Sequence, residues 1–315
     1  MMNIDIYMPR CDVTFKKGPI PQKRGPVHPV KQYWQKFVSL LKRRHDELGH
    51  KTRVIEIPLW QLTPEKVDDY SIDASLIYIP HKMIENWIED ERVLFYMQMV
   101  VPSIFSIDSK GWCASASVYP IRPFEDCDEY LLDGFNILSR RIFSNETKFE
   151  QPSNKSKLPY PDDYLFFPCQ IPHDETIRYH SSVNVEQALS TTIRFAQMSG
   201  QKLIIKGHPA NHAAMHPLKR VYVNEMFESM NKGQPPVCAW IDNANIHTLL
   251  SHSKAVFTVN SGVGFEAILH QKPVFTFGRA DYDCVSTSLE GSSSEVISFL
   301  LDQFKDKLKV CFGEY

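Results

Sequence analysis

Short apolar runs alternate with longer amphipathic segments along the chain. Four apolar runs of strand length lie in the first half: NIDIYM, RVIEIP, ASLIYIP and SIFSID. Helical periodicity lies between them, in VKQYWQKFVSLLKRRHDELGH and in IENWIEDERVLFYMQMV. In the first of these two segments, Tyr33, Phe37, Leu40 and Leu41 recur at the spacing of one helix face. The pattern predicts strands that alternate with helices.

The second half of the chain repeats this alternation. Its apolar runs are YLFFPCQ, KLIIKG, VCAWID, AVFTVN and PVFTFG, and helical patterns such as NVEQALSTTIRFAQMSG and GFEAILHQ separate them. Apolar strands in alternation with helices predict parallel sheets that helices cover on both faces. A polar segment with three prolines, residues 144–163, separates the two halves and has the composition of a linker.

The predicted fold class is therefore α/β, with two Rossmann-like domains that face each other across a cleft. We expect an N-terminal α/β domain in residues 1–150 and a C-terminal α/β domain in residues 160–290. The last segment, residues 291–315, carries an amphipathic helix that we expect to pack near the domain junction.

Composition narrows the class of protein. The length of 315 residues agrees with two domains. A formal net charge of −2 argues against nucleic-acid binding, which normally needs a basic excess. Seven cysteines without a CxxC pair indicate neither a zinc site nor a disulfide framework. Without a signal-peptide pattern or an apolar run of membrane-span length, we expect a cytoplasmic protein, and peripheral attachment to the inner membrane stays open.

Polar groups follow four of the predicted strands in the second half. Asp174 follows YLFFPCQ, His208 follows KLIIKG, Asn260 follows AVFTV, and the segment RADYD follows PVFTFG. Ligands of open α/β sheets bind beyond the carboxyl ends of the strands. We therefore expect these strand ends to form one site.

The segment NSGVGFEAI places Asn260, Ser261 and Gly262 where a strand gives way to a helix. The free N–H groups and the dipole of a helix N-terminus attract phosphate. The segment is neither a Walker loop nor a GxGxxG motif. The alternative interpretation is a helix N-cap at Ser261 with a tight turn.

His208 stands at a strand end, where the following Pro209 restricts its backbone and stops the sheet. It could donate a hydrogen bond to a phosphate or act as a general acid, and the alternative is a structural loop histidine. His212 and His216 lie close behind, but no carboxylate or cysteine completes a ligand set, so we predict no metal site.

Two carboxylates are candidates for chemistry. Asp174 could act as a nucleophile or a base, and Asp108, in FSIDSKGW, would face it from the opposite domain. Glycosyl chemistry uses such a pair of carboxylates. The alternatives are an N-cap or turn at Asp174 and a type I turn that begins at Asp108.

Three segments, QIPHD, KGHP and NSGVGFEAILHQKPVFTFG, together resemble the bacterial capsule polysaccharide synthesis family, over residues 160–285. The family includes β-Kdo transferases, which have GT-B-like folds and use CMP-Kdo as the donor. The resemblance implies that His208 contacts the CMP phosphate and that Asn260, Ser261 and Gly262 hold it at the helix start. It also places Glu266, one helical turn further on, among the nucleotide-binding residues.

The resemblance also implies a mechanism. Asp174 would be the nucleophile that forms a Kdo adduct in a retaining transfer, and Asp108 the acid or base of the acceptor-side N-terminal domain. Lys206 would help to hold the departing phosphate. If Asp174 lay too far from the sugar, Asp108 would act as base in an inverting displacement. The scheme needs no metal and no other cofactor, and its acceptor would be a saccharide or glycolipid of a bacterial capsule or lipopolysaccharide.

Two other interpretations stay open. One is a GT-B transferase that uses CMP-sialic acid or a UDP-sugar. The other is a non-catalytic, two-lobed sugar-binding protein. The basic loop FKKGPIPQKRGP, residues 15–26, could bind the carboxylate of a sugar acid or an anionic acceptor, and the alternative is a solvated surface loop.

Overall fold

The structure is a computed structural model, which describes residues 1–9, 29–58, 61–80, 90–117, 119, 129–144, 146, 149, 151–152, 158–172, 174–209, 228–229, 232 and 237–311. The basic loop at residues 15–26 and the histidines His212 and His216 lie outside the described residues. The chain divides into two compact units. The first unit comprises Met1–Tyr119 and Glu146–Phe149, and the second comprises Pro120–Asn145 and Glu150–Tyr315.

The first unit is built on a five-stranded sheet with the strand order β2-β1-β3-β4-β5. All neighbouring strands are parallel except β4 and β5, which are antiparallel. The strands are β1 (Asn3–Pro9), β2 (Lys51–Ile57), β3 (Leu76–Pro80), β4 (Val93–Gln98) and β5 (Phe105–Asp108). The helices described in this unit are α1 (Pro29–Glu47) and α2 (Pro64–Tyr70).

Helix α1 packs on the first sheet through a face that overlaps the predicted one at Phe37 and Leu41. Trp34, Phe37 and Leu41 pack around the buried Val38 against the sheet. Leu40 is 54% exposed and Tyr33 is 36% exposed, so neither belongs to the buried stripe. The residues that face the sheet have the spacing i, i+3, i+4 and i+7, which is that of one helix face. This face begins at Trp34 and not at Tyr33.

The predicted helix IENWIEDERVLFYMQMV is wrong in its second half. Val93–Gln98 forms strand β4, with β3 on one side and β5 on the other. A strand covered on both faces is apolar at nearly every position, so its sequence also fits one face of a helix. Periodicity alone therefore does not separate the two structures in this segment.

The second unit is built on a six-stranded parallel sheet with the order β11-β10-β9-β6-β7-β8. Its strands are β6 (Tyr164–Pro168), β7 (Lys202–Lys206), β8 (Cys238–Ile241), β9 (Ser253–Thr258), β10 (Val274–Thr276) and β11 (Thr287–Ser288). Its described helices are α3 (Glu129–Phe143), α4 (Glu175–His180), α5 (Val185–Ser199), α6 (Ile246–His252), α7 (Gly262–Leu269) and α8 (Ser293–Cys311). Two units with mainly parallel sheets and covering helices confirm the α/β fold class, and the predicted cleft between the domains stays a prediction.

The strand order of the second unit marks where a ligand would bind. The chain starts at the central strand β6, builds β7 and β8 to one side, and returns to build β9, β10 and β11 on the other. The direction of winding reverses between β6 and β9. In doubly wound sheets the crevice beyond the carboxyl ends of the strands at such a reversal is the usual ligand site.

Helices cover the second sheet on both faces. Leu165 and Phe167 belong to the apolar core that includes residues of α5 and α8, whereas Tyr164 and Phe166 belong to the core that includes residues of α6 and α7. Successive side chains of a strand point to opposite faces, so a strand buried on both faces reads as an unbroken apolar run. None of the described helices combines the length and the apolar character that a membrane span requires.

A pair of histidines packs beneath α3 in the second unit. Nδ1 of His247 lies 3.1 Å from Nε2 of His270, and the ring of Phe143 contacts both imidazoles edge-on. Burial lowers the pKa of both histidines. His270 lowers the pKa of His247 further, and the Lys272 ammonium lowers that of His270. Because a hydrogen bond between two imidazoles needs one lone pair, the contact requires at least one neutral ring.

Acidification is expected to destabilise the chain in part through His247. Burial, with His270 beside it, lowers the pKa of His247 to about 4, whereas an unfolded histidine titrates near about 6.5. Its contribution to stability is therefore complete above about pH 6.5 and is lost as the pH falls toward about 4. The free energy of unfolding, measured with urea, should fall for both proteins between about pH 7.5 and about pH 5. For His247→Gln the fall should be smaller than for the wild type by about 1–2 kcal/mol.

A second pH interval supplies the control for this experiment. Between about pH 7.5 and about pH 8.5 the imidazole of His247 is neutral in the folded and the unfolded state, so the difference in free energy of unfolding between His247→Gln and the wild type should stay constant. An undiminished loss in His247→Gln would show that the buried imidazole does not contribute to the pH dependence.

Candidate active site

The structure places the predicted residues of the second unit at the carboxyl ends of its parallel strands. Asp174 follows β6, β7 ends at Lys206 with His208 two residues further on, and Ser261 follows β9. Strand β10 ends at the neighbouring position, where Arg279 follows. The candidate active site is therefore the edge of the second sheet at which β6, β7, β9 and β10 end.

A buried amide pair spans the point where the winding of the sheet reverses. Nε2 of Gln170 donates to Oδ1 of Asn260 at 3.0 Å, and the backbone N–H of Asn260 donates to Oε1 of Gln170 at 3.0 Å. The hydroxyl of Thr258 donates to the same Oε1 at 3.2 Å. The pair joins the end of β6 to the end of β9.

Asn260 extends this connection to two further loops. Its Nδ2 donates to the carbonyl of Thr176 at 2.9 Å and to the carbonyl of Arg279 at 3.3 Å. Its Oδ1 accepts from Gln170, so both polar atoms of the Asn260 amide are hydrogen-bonded within the protein. The residue is only 5% exposed. Asn260 therefore ties together the loops after β6, β9 and β10. The predicted contact between its side chain and a phosphate stays a prediction.

Asp174 is the N-cap of helix α4. Its Oδ1 accepts from the backbone N–H of Thr176 at 2.9 Å and from the Thr176 hydroxyl at 2.8 Å. Oδ2 has no hydrogen-bond partner among the residues that the structure describes. The capping interpretation accounts for Oδ1 of this carboxylate, and the role of Asp174 in chemistry stays a prediction.

His208 lies half-buried beside Asp174 and Lys206. Burial lowers its pKa to about 4, the Asp174 carboxylate opposes this shift, and the Lys206 ammonium adds to it. The imidazole is therefore neutral at pH 7. A neutral imidazole can donate an N–H to a phosphate oxygen, but it does not bring a positive charge.

Lys206 is buried at the ends of β7 and β8, with 5% of its surface exposed. Its Nζ lies 3.5 Å from the carbonyl oxygens of both Gly207 and Asp242. Burial lowers its pKa, and the Asp242 carboxylate opposes that shift. The ammonium adds positive potential beneath the strand ends from a buried position.

Helix α7 begins at the same edge of the sheet. Oγ of Ser261 accepts from the backbone N–H of Val263 at 3.2 Å, which makes Ser261 the N-cap. Gly262, the first helical residue, is exposed. One turn on, Glu266 is 4% exposed, and burial raises the pKa of its carboxyl to about 7. Among the described residues this carboxyl has no hydrogen-bond partner.

Gly264 is required by a close packing contact. The buried Tyr282 donates its hydroxyl to the carbonyl of Ser261 at 2.5 Å, and this places the ring against Gly264. A Cβ at Gly264 would lie 2.2 Å from the tyrosine hydroxyl and 2.5 Å from Cζ. The ring of Tyr282 therefore holds the first turn of α7.

Gly264→Ala is expected to lower the free energy of unfolding by about 1–3 kcal/mol, because the added methyl group displaces a buried ring. A double-mutant cycle with Tyr282→Ala tests the cause. Alanine at position 264 should cost little once the ring is absent, so the two losses should not add. Additive losses would mean that the methyl group does not act through Tyr282.

Asp108 lies in the first unit and closes a loop. Its Oδ1 accepts from the backbone N–H groups of Lys110 at 2.7 Å, Gly111 at 2.9 Å and Ser117 at 2.9 Å, and the Ser117 hydroxyl donates to Oδ2 at 2.6 Å. Burial pushes its pKa upward, but these hydrogen bonds outweigh burial and hold the pKa below its usual value. The Asp108 carboxylate therefore closes the loop through its side chain, and the predicted type I turn stays a prediction. An acid or base role across a cleft stays a prediction.

The described part of the chain contains no group of three or more His, Cys, Asp or Glu side chains that could hold a metal ion. Gln170 and Thr176 were not predicted as site residues. For Gln170 the sequence does carry a signal: a glutamine at the end of an apolar strand, in QIPHD, is a polar group that needs a hydrogen-bond partner when it is buried.

The fold is similar to that of known glycosyltransferases. The structure of KpsC, beta Kdo 2,7 transferase, from Thermosulfurimonas dismutans matches with a TM-score of 0.53 and 15% identity, over 94% of this chain and 89% of that one. The beta Kdo 2,4 transferase of the same KpsC matches with a TM-score of 0.51 and 16% identity, over 83% of this chain and 87% of that one. These likenesses show a shared GT-B-like fold.

A curated relative lies closer in sequence. Over 152 residues, 47% of this chain, the sequence is 28% identical to the capsule polysaccharide export protein KpsS of Escherichia coli. The match covers 37% of KpsS, so the chain spans little more than a third of the length of this relative.

Residues 112–297 match the family described as capsule polysaccharide biosynthesis protein. This match covers more than half of the chain and includes Asp174, His208 and the start of α7. The resemblance seen in the motifs is confirmed, and the chain belongs to the capsule polysaccharide biosynthesis family.

Proposed function

We propose that the protein transfers a 2-keto sugar acid, Kdo, from its CMP ester to a saccharide acceptor, with retention of configuration through an adduct on Asp174. The observation that carries the proposal is the state of the Asp174 carboxylate. Thr176 holds Oδ1, Oδ2 has no partner among the described residues, and His208 lies beside the carboxylate.

Departure of CMP leaves positive charge on the sugar and negative charge on the phosphate. The carboxylate of Asp174 meets the positive charge, first as an ion and then as a covalent ester at the anomeric carbon. The acceptor hydroxyl then attacks the same carbon and releases the carboxylate. Two displacements at one carbon retain its configuration.

The phosphate binds at the start of α7. Gly262 is the exposed first residue of that helix, and the N-terminal end of the helix dipole favours an anion. The neutral imidazole of His208 donates an N–H to a phosphate oxygen, and the buried Lys206 supplies positive charge from below. These groups stabilise the leaving group without a metal ion or another cofactor.

The partners proposed for this activity are a CMP-activated sugar and a saccharide or glycolipid of a bacterial surface polysaccharide. The names of the KpsC structures, both beta Kdo transferases, support the choice of Kdo as the transferred sugar. Peripheral contact with a membrane would bring the protein to a lipid-linked acceptor.

A donor panel tests the proposal. CMP release is measured with CMP-Kdo and with CMP-sialic acid, and UDP release with UDP-N-acetylglucosamine, each with water alone and with a Kdo glycoside as the acceptor probe. We expect release from CMP-Kdo that the Kdo glycoside accelerates. Turnover of the UDP-sugar without turnover of CMP-Kdo would contradict the proposal, and so would binding of CMP-Kdo without turnover.

A further inference from the structure

Thr176 is a buried residue whose two donors converge on one atom. Its side chain and backbone lie in the first turn of α4, and the residue is 6% exposed. The backbone N–H and the hydroxyl of Thr176 both donate to Oδ1 of Asp174. A helix N-cap needs only the backbone donor, so the hydroxyl adds a contact beyond capping.

The position of Thr176 is itself held from the centre of the sheet. Its carbonyl accepts from Nδ2 of Asn260 at 2.9 Å, and Asn260 is paired on its other side with Gln170. Gln170 and Asn260 are both buried. A continuous chain of hydrogen bonds therefore runs from the reversal point between β6 and β9 to the Asp174 carboxylate.

We propose that Thr176 is a positioning residue for the nucleophile and that the Gln170–Asn260 pair fixes Thr176. The inference rests on the proposed function, in which Asp174 attacks the sugar. Two hydrogen bonds to Oδ1 prevent rotation of the carboxylate and keep Oδ2 turned away from the protein donors. A carboxylate held in one rotamer enters the attack without first losing orientational freedom.

This positioning serves two successive displacements at the anomeric carbon of the sugar. Oδ2 forms a bond to the anomeric carbon while the bond from that carbon to the phosphate oxygen breaks, and the electron pair leaves with CMP. In the second step the acceptor oxygen bonds to the same carbon, its proton passes to water, and the ester electron pair returns to Asp174. Thr176 donates to Oδ1 throughout and exchanges no proton.

Two substitutions separate the hydroxyl from the rest of the residue. Thr176→Val keeps the branched shape and the backbone cap but removes the hydroxyl donor. Thr176→Ser keeps the donor and removes one methyl group. We expect Thr176→Val to lower kcat by about 10- to 100-fold with the KM for CMP-Kdo within about threefold of the wild type. Thr176→Ser should stay within about threefold of the wild type in both constants.

The serine variant gives a readout that separates the hydroxyl from packing. A defect of shape should be larger in Thr176→Ser, which loses a methyl group, than in Thr176→Val, which keeps the branched shape. Loss of positioning should give the opposite order, because only Thr176→Val lacks the donor to Oδ1 of Asp174.

The outcomes are distinct. A wild-type kcat in a folded Thr176→Val, or equal losses in the valine and serine variants, overturns the inference. Wild-type protein in the same assay reports on the proposed function separately. Absence of CMP release from the wild type overturns both, whereas normal wild-type turnover with an unaffected Thr176→Val overturns the positioning role alone.

Discussion

Asp174→Asn should reduce CMP release from CMP-Kdo by about 10³-fold or more, because an amide cannot replace a carboxylate as the attacking group. The fold should survive the change. The asparagine oxygen can still accept from the backbone N–H of Thr176, and asparagine is as good an N-cap as aspartate. Steady-state CMP release and thermal melting of the same samples measure the two effects.

Glu175→Gln is the matched control, since Glu175 is the next residue and begins the same helix. It removes a carboxylate from the same turn and should change CMP release by less than about threefold. If Asp174→Asn retained activity within about tenfold of the wild type, the covalent route would be excluded and direct displacement by the acceptor would replace it.

His208→Ala should cost at least about 2 kcal/mol of transition-state stabilisation, which is a loss of about 30-fold or more in kcat/KM. His208 follows β7 beside Asp174, and in the proposed mechanism its imidazole donates to the leaving phosphate. His252→Gln, which changes an exposed histidine at the end of α6, is the control and should leave kcat/KM unchanged. A change of less than about threefold in His208→Ala would remove His208 from the chemistry.

The pH dependence gives a second check on His208. Because its pKa is about 4, the imidazole is neutral throughout the range from about pH 5.5 to about pH 8. It should therefore contribute no limb to the pH profile in that range. If the wild-type profile has a limb near pH 6.5 that His208→Ala abolishes, the residue acts as a charged acid rather than as a neutral donor.

The fold class follows from the apolar pattern because hydrophobic runs and helical periods directly reflect burial. The strand β6, for example, is apolar at every position because helices cover both of its faces. The same logic fails for Val93–Gln98, where the apolar run fits a buried strand and a helix equally. It also assigns Tyr33 and Leu40 to the buried face of α1, since spacing does not distinguish adjacent faces that differ by one residue.

The candidate site could be located from the sequence because strand ends of a parallel sheet meet at one edge. Its internal contacts could not be located in the same way. Gln170 and Asn260 are ninety positions apart and meet only because β6 and β9 are neighbours in the sheet. The requirement for glycine at position 264 likewise comes from the ring of Tyr282, which lies eighteen positions further along the chain.

The direct test of the proposed chemistry is the mass of the wild-type protein after rapid mixing with CMP-Kdo, followed by peptide mapping. The proposed mechanism predicts an added Kdo group on the peptide that contains Asp174, with none in Asp174→Asn and an unchanged yield in Glu175→Gln. Rapid CMP release without any adduct on that peptide, or an adduct on another residue, would contradict it.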